Sequence, residues 1–195
     1  MPIPNFSIDG ILPPFIGRLG PGDTMEDMSP YAVSALEVVT TLGGTEQRKS
    51  VLRGWLQHRA ALRGAGYGRG FQWLDGSFVE AKEPKDIDVV AFLYRPGGII
   101  AANELAKSME ANIELFDRDQ VKVAFHVDFF PIDLDGPVET TVRMTRYMLG
   151  LFSHRREDYI WKGMLQVRLE DVTDDAAALG VLGSEPIANA GGSEP

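Results

Sequence analysis

Asp86-Ile87-Asp88 places two carboxylates two positions apart at the head of an apolar, β-branched run. In an extended strand, residues i and i+2 point to the same face. Both acids then stand side by side while Ile87 turns into the core. Two ionised carboxylates that close repel each other unless a cation lies between them. Hard divalent ions such as Mg²⁺ are held by a few carboxylates together with phosphate oxygens. A solvated strand end is the ordinary alternative for an isolated Asp-x-Asp. Upstream, Asp75-Gly76-Ser77 closes another apolar segment, with eight residues between Ser77 and Asp86. Glycine permits close backbone approach, and successive N–H groups with a Ser hydroxyl can cradle phosphate oxygens. Asp128, between Val127 and Phe129, is a third acid, and so hydrophobic a setting calls for a partner, unless it is an edge-strand acid facing water. If its face is that of Asp86 and Asp88, three carboxylates and a phosphate cradle meet the needs of two-metal phosphoryl transfer.

The elements that must position these groups can be read from periodicity and punctuation. Residues 1–44 form a Pro/Gly-rich arm whose Ile3, Phe6, Ile8, Ile11, Leu12, Phe15 and Ile16 are too apolar for a free tail. It is expected to be extended and packed on the domain, with a short helix over Tyr31–Leu42 stopped by Gly43-Gly44. Thr45 opens a helix whose Val51, Leu52, Trp55, Leu56 and Leu62 form one stripe, ended by Gly64 and Gly66. Phe71–Leu74 and Ile87–Tyr94 read as strands, Ile99–Leu115 as a helix, and Val121–Phe130, by its alternation, as a strand. A helix over Thr140–Phe152 and a last strand over Lys162–Leu169 follow. From Asp171 onward the chain is acidic and rich in Ala and Gly, and a flexible tail is expected over 171–195. The order implies a mixed α/β or α+β domain over 45–170 with one central sheet flanked by helices.

Composition narrows the function classes. With 195 residues, 44% of them hydrophobic, one ordinary core is expected. No cysteine is present, which removes disulfides, thiolate metal sites and a Cys nucleophile and fits a cytoplasmic protein. No run approaches the ~18–20 apolar residues of a membrane span, and Met1–Asn5 lacks a signal-peptide pattern. The net charge of −9 disfavours a general duplex binder. Arg48, Lys49, Arg53, Arg59, Arg63 and Arg69 nevertheless crowd residues 46–70, a local basic surface suited to polyphosphate or a single strand.

Gly76-Ser77, eight residues, Asp86-Ile87-Asp88 and a later strand with Asp128 together resemble the nucleotidyltransferase superfamily related to DNA polymerase beta. Trp73-Leu74-Asp75-Gly76-Ser77-Phe78-Val79 and Gly10-Ile11-Leu12-Pro13-Pro14 look like a group of small bacterial members, and some proteins of the wider superfamily act in toxin–antitoxin modules or antiphage defence. The likeness spans roughly residues 45–130, with a weaker echo in the arm and in Lys162-Gly163. It implies the nucleotidyltransferase fold, two Mg²⁺ (or Mn²⁺) ions on Asp86, Asp88 and Asp128, and the β- and γ-phosphates of a nucleoside triphosphate on Gly76 and Ser77. Two positions depart from the common pattern. Ala81 stands where a second glycine is usual, and Lys85 stands where a Ser usually precedes the first acid; Lys85 either reaches phosphate or faces water.

The expectation is therefore an enzyme moving a nucleoside monophosphate from a triphosphate to a hydroxyl of a protein or short single-stranded oligonucleotide, with release of pyrophosphate. The competing expectation is an antitoxin-like binding module that neutralises a toxin or effector protein by contact. Oligomerisation stays open. His126 shares a face with Asp128 in this reading and is structural or a ligand contact; Asp133 and Asp135 read as turn residues. Arg143, Arg146 and Lys162 are either phosphate contacts or solvated. Nothing in spacing selects Tyr147, Tyr159 or Ser153 as an acceptor.

Overall fold

A computed structural model describes residues 3–17 and 24–183. The chain forms β1 (Tyr31–Ala32), α1 (Ala35–Leu42), α2 (Glu46–Gly64), β2 (Gly70–Asp75), β3 (Ile87–Leu93), α3 (Ala102–Glu110), α4 (Ile113–Phe116), α5 (Arg118–Phe125), β4 (Val127–Asp133), α6 (Val138–Phe152), β5 (Leu165–Arg168) and α7 (Val172–Leu182). One five-stranded sheet runs in the order β1-β5-β2-β3-β4. The outer pairs β1/β5 and β3/β4 are parallel, and the inner pairs β5/β2 and β2/β3 are antiparallel. The result is a mixed α/β architecture with helices on both faces. Among the described residues no helix is long and apolar enough to cross a membrane.

Alternation along the strands divides the core. Ile87, Val89, Ala91 and Leu93 of β3, with Val127 and Phe129 of β4, face the larger cluster, which takes in α1, α2, α5 and α7. Trp73, Val90, Phe92 and Ile132 face the other way, beneath Met148 and Phe152 of α6. Helix α2 anchors the larger cluster. Thr45 caps it by accepting from the Arg48 N–H, and Val51, Leu52, Trp55, Leu56 and Leu62 are fully covered. Gly54 marks where α2 crosses α5: a Cβ there would lie 2.0 Å from the carbonyl oxygen of Phe125. His58 is a core histidine, its Nε2 3.0 Å from the Leu115 carbonyl, and burial depresses its pKa to about 4.

Three local expectations change. Residues 121–125, expected as the first half of a Val121–Phe130 strand, belong instead to the helix Arg118–Phe125. Apolar groups at i and i+4 satisfy both periods, and Asp117 decides by capping the helix at the Gln120 N–H. Val123, which a half-buried strand would cover, is 80% exposed. His126 ends the helix with a left-handed φ of 56°, so it terminates α5 and leaves the strand to begin at Val127. Tyr31–Ala32 pairs with β5, and the first helix starts only at Ala35, capped by Ser34. The Ile99–Leu115 helix is broken in two, at Ala111-Asn112.

The largest correction concerns the acidic segment. Residues 172–182 form a helix capped by Asp171, with Ala178 and Leu182 buried; residues 184–195 lie outside the described residues. Asp175 receives the Arg59 guanidinium as a fork, at 2.8 and 2.9 Å, and Arg63 at 2.6 Å. Arg59 is itself fully buried and also donates to Gln72 and to the Arg168 carbonyl. The basic residues of α2 are thus not all a free surface: several are consumed inside the fold. Removing one partner of such a pair leaves a buried charge uncompensated, so Asp175→Ala should lower stability by ~3 kcal/mol, measured by urea unfolding. A loss under ~1 kcal/mol, typical of an exposed pair, would show that α7 is not part of the cooperative core.

Candidate active site

Pairing register brings three acids into one row. Asp75 of β2 lies opposite Asp88 of β3, and Asp88 lies beside Asp128 of β4. Residues directly paired across strands share a face, here the face that also carries Trp73, Val90 and Phe130. An apolar layer therefore ends in a line of carboxylates at the strand tips. Asp86 sits one position before β3 begins, so it stands beside the row, not in it. All four acids line a cleft of about 370 Å³, with Gly76, Ser77, Glu80, Arg118, Lys122, His154, Arg156 and Lys162 among its other walls.

The turn after β2 fits tightly under this row. Gly76 has φ of 77°, and a Cβ on it would fall 1.8 Å from the Asp88 carboxylate. Only glycine permits both the backbone angle and the contact. Gly76–Val79 then forms one 3₁₀ turn, which brings Ser77 to the cleft. Arg48, buried on α2, fixes the turn from behind by donating to the carbonyls of Phe78, Glu80 and Lys82 at 3.0, 2.6 and 2.9 Å. The N-terminal arm adds to the support, with Leu12 donating to the Val79 carbonyl and Gly163 to that of Leu12.

Charge is balanced unevenly. Lys162, 3% exposed, donates to the Gly76 carbonyl at 2.9 Å and Glu80 at 3.2 Å, and lies 3.3 Å from Asp75 Oδ1. That last approach is an ion-pair contact without hydrogen-bond geometry, and Oδ1 is left without a donor. Burial pushes the Asp75 carboxyl up to about 7, against the pull of Lys162 and the Gly76 N–H, and Asp88 adds to the rise. Asp88 is pushed up to about 6 by burial, then by Asp128 and Asp86, with Lys162 and Arg156 offsetting in part. Asp128 goes the other way. Burial would raise it, but Arg118 and Lys122 outweigh that and hold it below the usual carboxylate range. Arg118 grips both Asp128 oxygens and stacks over Phe130; Lys122 reaches Asp86 at 2.7 Å and Asp128 at 3.4 Å.

These observations bear on a metal. Among the described residues no three His, Asp or Glu side chains are arranged to cage an ion as they stand. Asp128 and Asp86 are engaged by Arg118 and Lys122 of α5. The donor set is nevertheless right for a hard cation: carboxylate oxygens only, with Asp88 strained by its neighbours and a buried Asp75 oxygen lacking a donor.

The structure thus brings together Asp86, Asp88, Asp128, Gly76 and Ser77. Lys85 is exposed and is not among the residues that line the cleft, which matches the water-facing alternative. His126 is the end of α5, not a partner of Asp128 on a strand face. Asp133 and Asp135 sit at the opposite end of the sheet, where they hold Arg95. Sequence reasoning missed Asp75 as a member of the row, and missed Glu80, Arg118 and Lys122. The alternation Phe71, Trp73, Asp75 was a usable signal for the first. The i, i+4 spacing of Arg118 and Lys122 speaks only once 118–125 is known to be helical.

The model of DUF6932, a family of unknown function, matches residues 4–168. The chain belongs to that family. The matched span includes every cleft residue named above and ends before α7. No curated protein and no solved structure matches the chain.

Two outcomes follow from this geometry. Gly76→Ala should cost more than ~1 kcal/mol of stability, since a left-handed φ and a steric overlap combine, and should displace Asp88; thermal unfolding checks it. Asp88→Asn should do the reverse at neutral pH. A carboxyl with a raised folded-state pKa is harmless below its unfolded value near ~4, and its ionisation costs stability increasingly as pH rises through about 6. The variant should match the wild type near pH 4 and exceed it by roughly 2 kcal/mol at pH 7.5 without added divalent ions. A wild type that stays the more stable at pH 7.5 would contradict the crowding of the row.

Proposed function

We infer that the chain is a nucleotidyltransferase that moves a nucleoside monophosphate from a (d)NTP to a hydroxyl of a protein or short oligonucleotide, in a nucleotidyltransferase-type fold. The observation that carries this reading is the in-register row of Asp75, Asp88 and Asp128 directly against the Gly76-Ser77 turn. A row of acids beside a glycine turn, in a cleft that also holds Arg118, Lys122, Arg156 and Lys162, suits a polyphosphate carried with divalent cations. Asp86, Asp88 and Asp128 would hold two Mg²⁺ or Mn²⁺ ions, which when bound neutralise phosphate charge and favour ionisation of the acceptor hydroxyl.

The chain's own groups have separable tasks. The Gly76 and Ser77 backbone, kept rigid by Arg48, would receive the terminal phosphates through N–H groups and the Ser77 hydroxyl. Lys162 positions that turn through the Gly76 carbonyl and compensates Asp75 and Glu80. Arg156 and His154, on the wall after α6, face the cleft where the departing pyrophosphate would accumulate charge. Protein acceptors suit a role in antiphage defence or a toxin–antitoxin pair.

One observation favours a second reading. Asp86 and Asp128 are already neutralised by Lys122 and Arg118, which suits a binding module that keeps the fold and neutralises a partner without chemistry. A single comparison separates the two. Incubation with α-labelled triphosphates and Mg²⁺ should give labelled acceptor and pyrophosphate with the wild type and none with Asp86→Ala/Asp88→Ala. Equal turnover by the double variant sinks the enzymatic reading; undiminished partner neutralisation by the same variant, without triphosphate, establishes the other.

A further inference from the structure

Two kinds of cation face the acidic row. Lys162 is fixed: it is buried and held at once by Gly76, Glu80 and Asp75. Arg118 and Lys122 are different. They stand four residues apart on α5, so both side chains leave the same helix face. Their side chains are 57% and 45% exposed, whereas those of Asp128 and Asp86 beneath them are 6% and 20% exposed. Between the two pairs lies Asp88, which no side chain among the described residues neutralises by direct contact and which Asp86 and Asp128 both repel.

The energetics of these contacts point to exchange. An ion pair with a half-exposed partner is weak, because water screens it and a long side chain must be held still. At equal distance a divalent ion attracts a carboxylate twice as strongly as a guanidinium or ammonium does. It can also bridge Asp88 to a neighbour, which neither Arg118 nor Lys122 does. Lys162 also borders the cleft, but it is buried and held by three partners at once, so water screens its contacts far less.

We propose that Arg118 and Lys122 are exchangeable resident counter-ions of the cleft, which hold Asp128 and Asp86 until a divalent cation displaces them. Once displaced, both remain on the cleft wall as positive charges for the anionic ligand that accompanies the metal. The proposal rests on the metal-dependent reading above and adds the step by which the site changes from self-neutralised to loaded.

The test is Mn²⁺ titration calorimetry on the full chain, comparing wild type, R118Q/K122Q, K122Q and R143Q/R146Q. The last pair removes the same charge from exposed positions of α6. Loss of the competing cations should tighten Mn²⁺ binding roughly tenfold in R118Q/K122Q and by a smaller factor in K122Q, with R143Q/R146Q at the wild-type value. Without metal, R118Q/K122Q should also melt below the wild type, and saturating Mn²⁺ should narrow the gap. Equal affinity in all four proteins overturns the exchange and leaves the metal-dependent reading standing. Equal tightening in R143Q/R146Q reduces the effect to net charge and overturns it too. No Mn²⁺ binding by any of them at millimolar concentration removes the metal reading, and the exchange with it.

Discussion

Repulsion among carboxylates that the sheet forces to face the same way is the constraint around which this molecule is arranged. Hydrogen-bond register leaves Asp75, Asp88 and Asp128 no freedom to separate, because β2, β3 and β4 pair residue by residue. The fold answers with a different solution for each acid. Asp75 has a buried lysine, Asp128 a guanidinium fork, and Asp86, beside the row, an ammonium. Asp88, in the middle, has none of these and takes up protons more readily instead. A sheet that stores unfavourable charge at one end is a poor choice for stability alone and a good one for recruiting positive charge.

Arginine does most of the work that keeps this arrangement in place, and it does so out of sight. Arg48 gathers three carbonyls of the loop after β2; Arg59 joins α2, β2, β5 and α7 through one planar group. A guanidinium offers five donors in a fixed fork, so a single buried side chain satisfies backbone oxygens that would otherwise be orphaned where elements end. Arg59 and Arg63 of α2 and Asp175 of the acidic helix near the end of the described chain are partners within one core, and need no external polyanion or polycation to explain them.

How much of this was legible in the sequence depends on the range of the interaction involved. Asp86 and Asp88 follow from a two-residue period, and the Gly76 turn from a local backbone need. Asp75 became a member of the row only through pairing with a strand that begins 12 residues later, which no local period encodes. Val121, Val123 and Phe125 misled because four is a multiple of two as well as nearly one helical turn. Asp117 as cap and His126 as terminator were the better guides. The acidic segment looked unstructured because the contacts that hold its helix are long-range: Asp175 meets Arg59, 116 residues away, and Asp174 meets the Leu36 N–H. Lys162 was legible only as a phosphate contact or a solvated base; its burial against Gly76, Glu80 and Asp75 depends on partners far away in sequence.

The anchoring of the loop after β2 by Arg48 has a kinetic consequence. The floor of the cleft is tied to the longest helix of the fold through backbone oxygens, so it moves only when the core moves. The opposite rim is made of long side chains on α5 that touch their partners from solvent. Access is therefore governed by rotamer transitions, which take picoseconds to nanoseconds in exposed residues, with no need for the slower microsecond-to-millisecond motions of whole elements. A cleft built this way equilibrates with small ions far faster than it could rebuild its own shape.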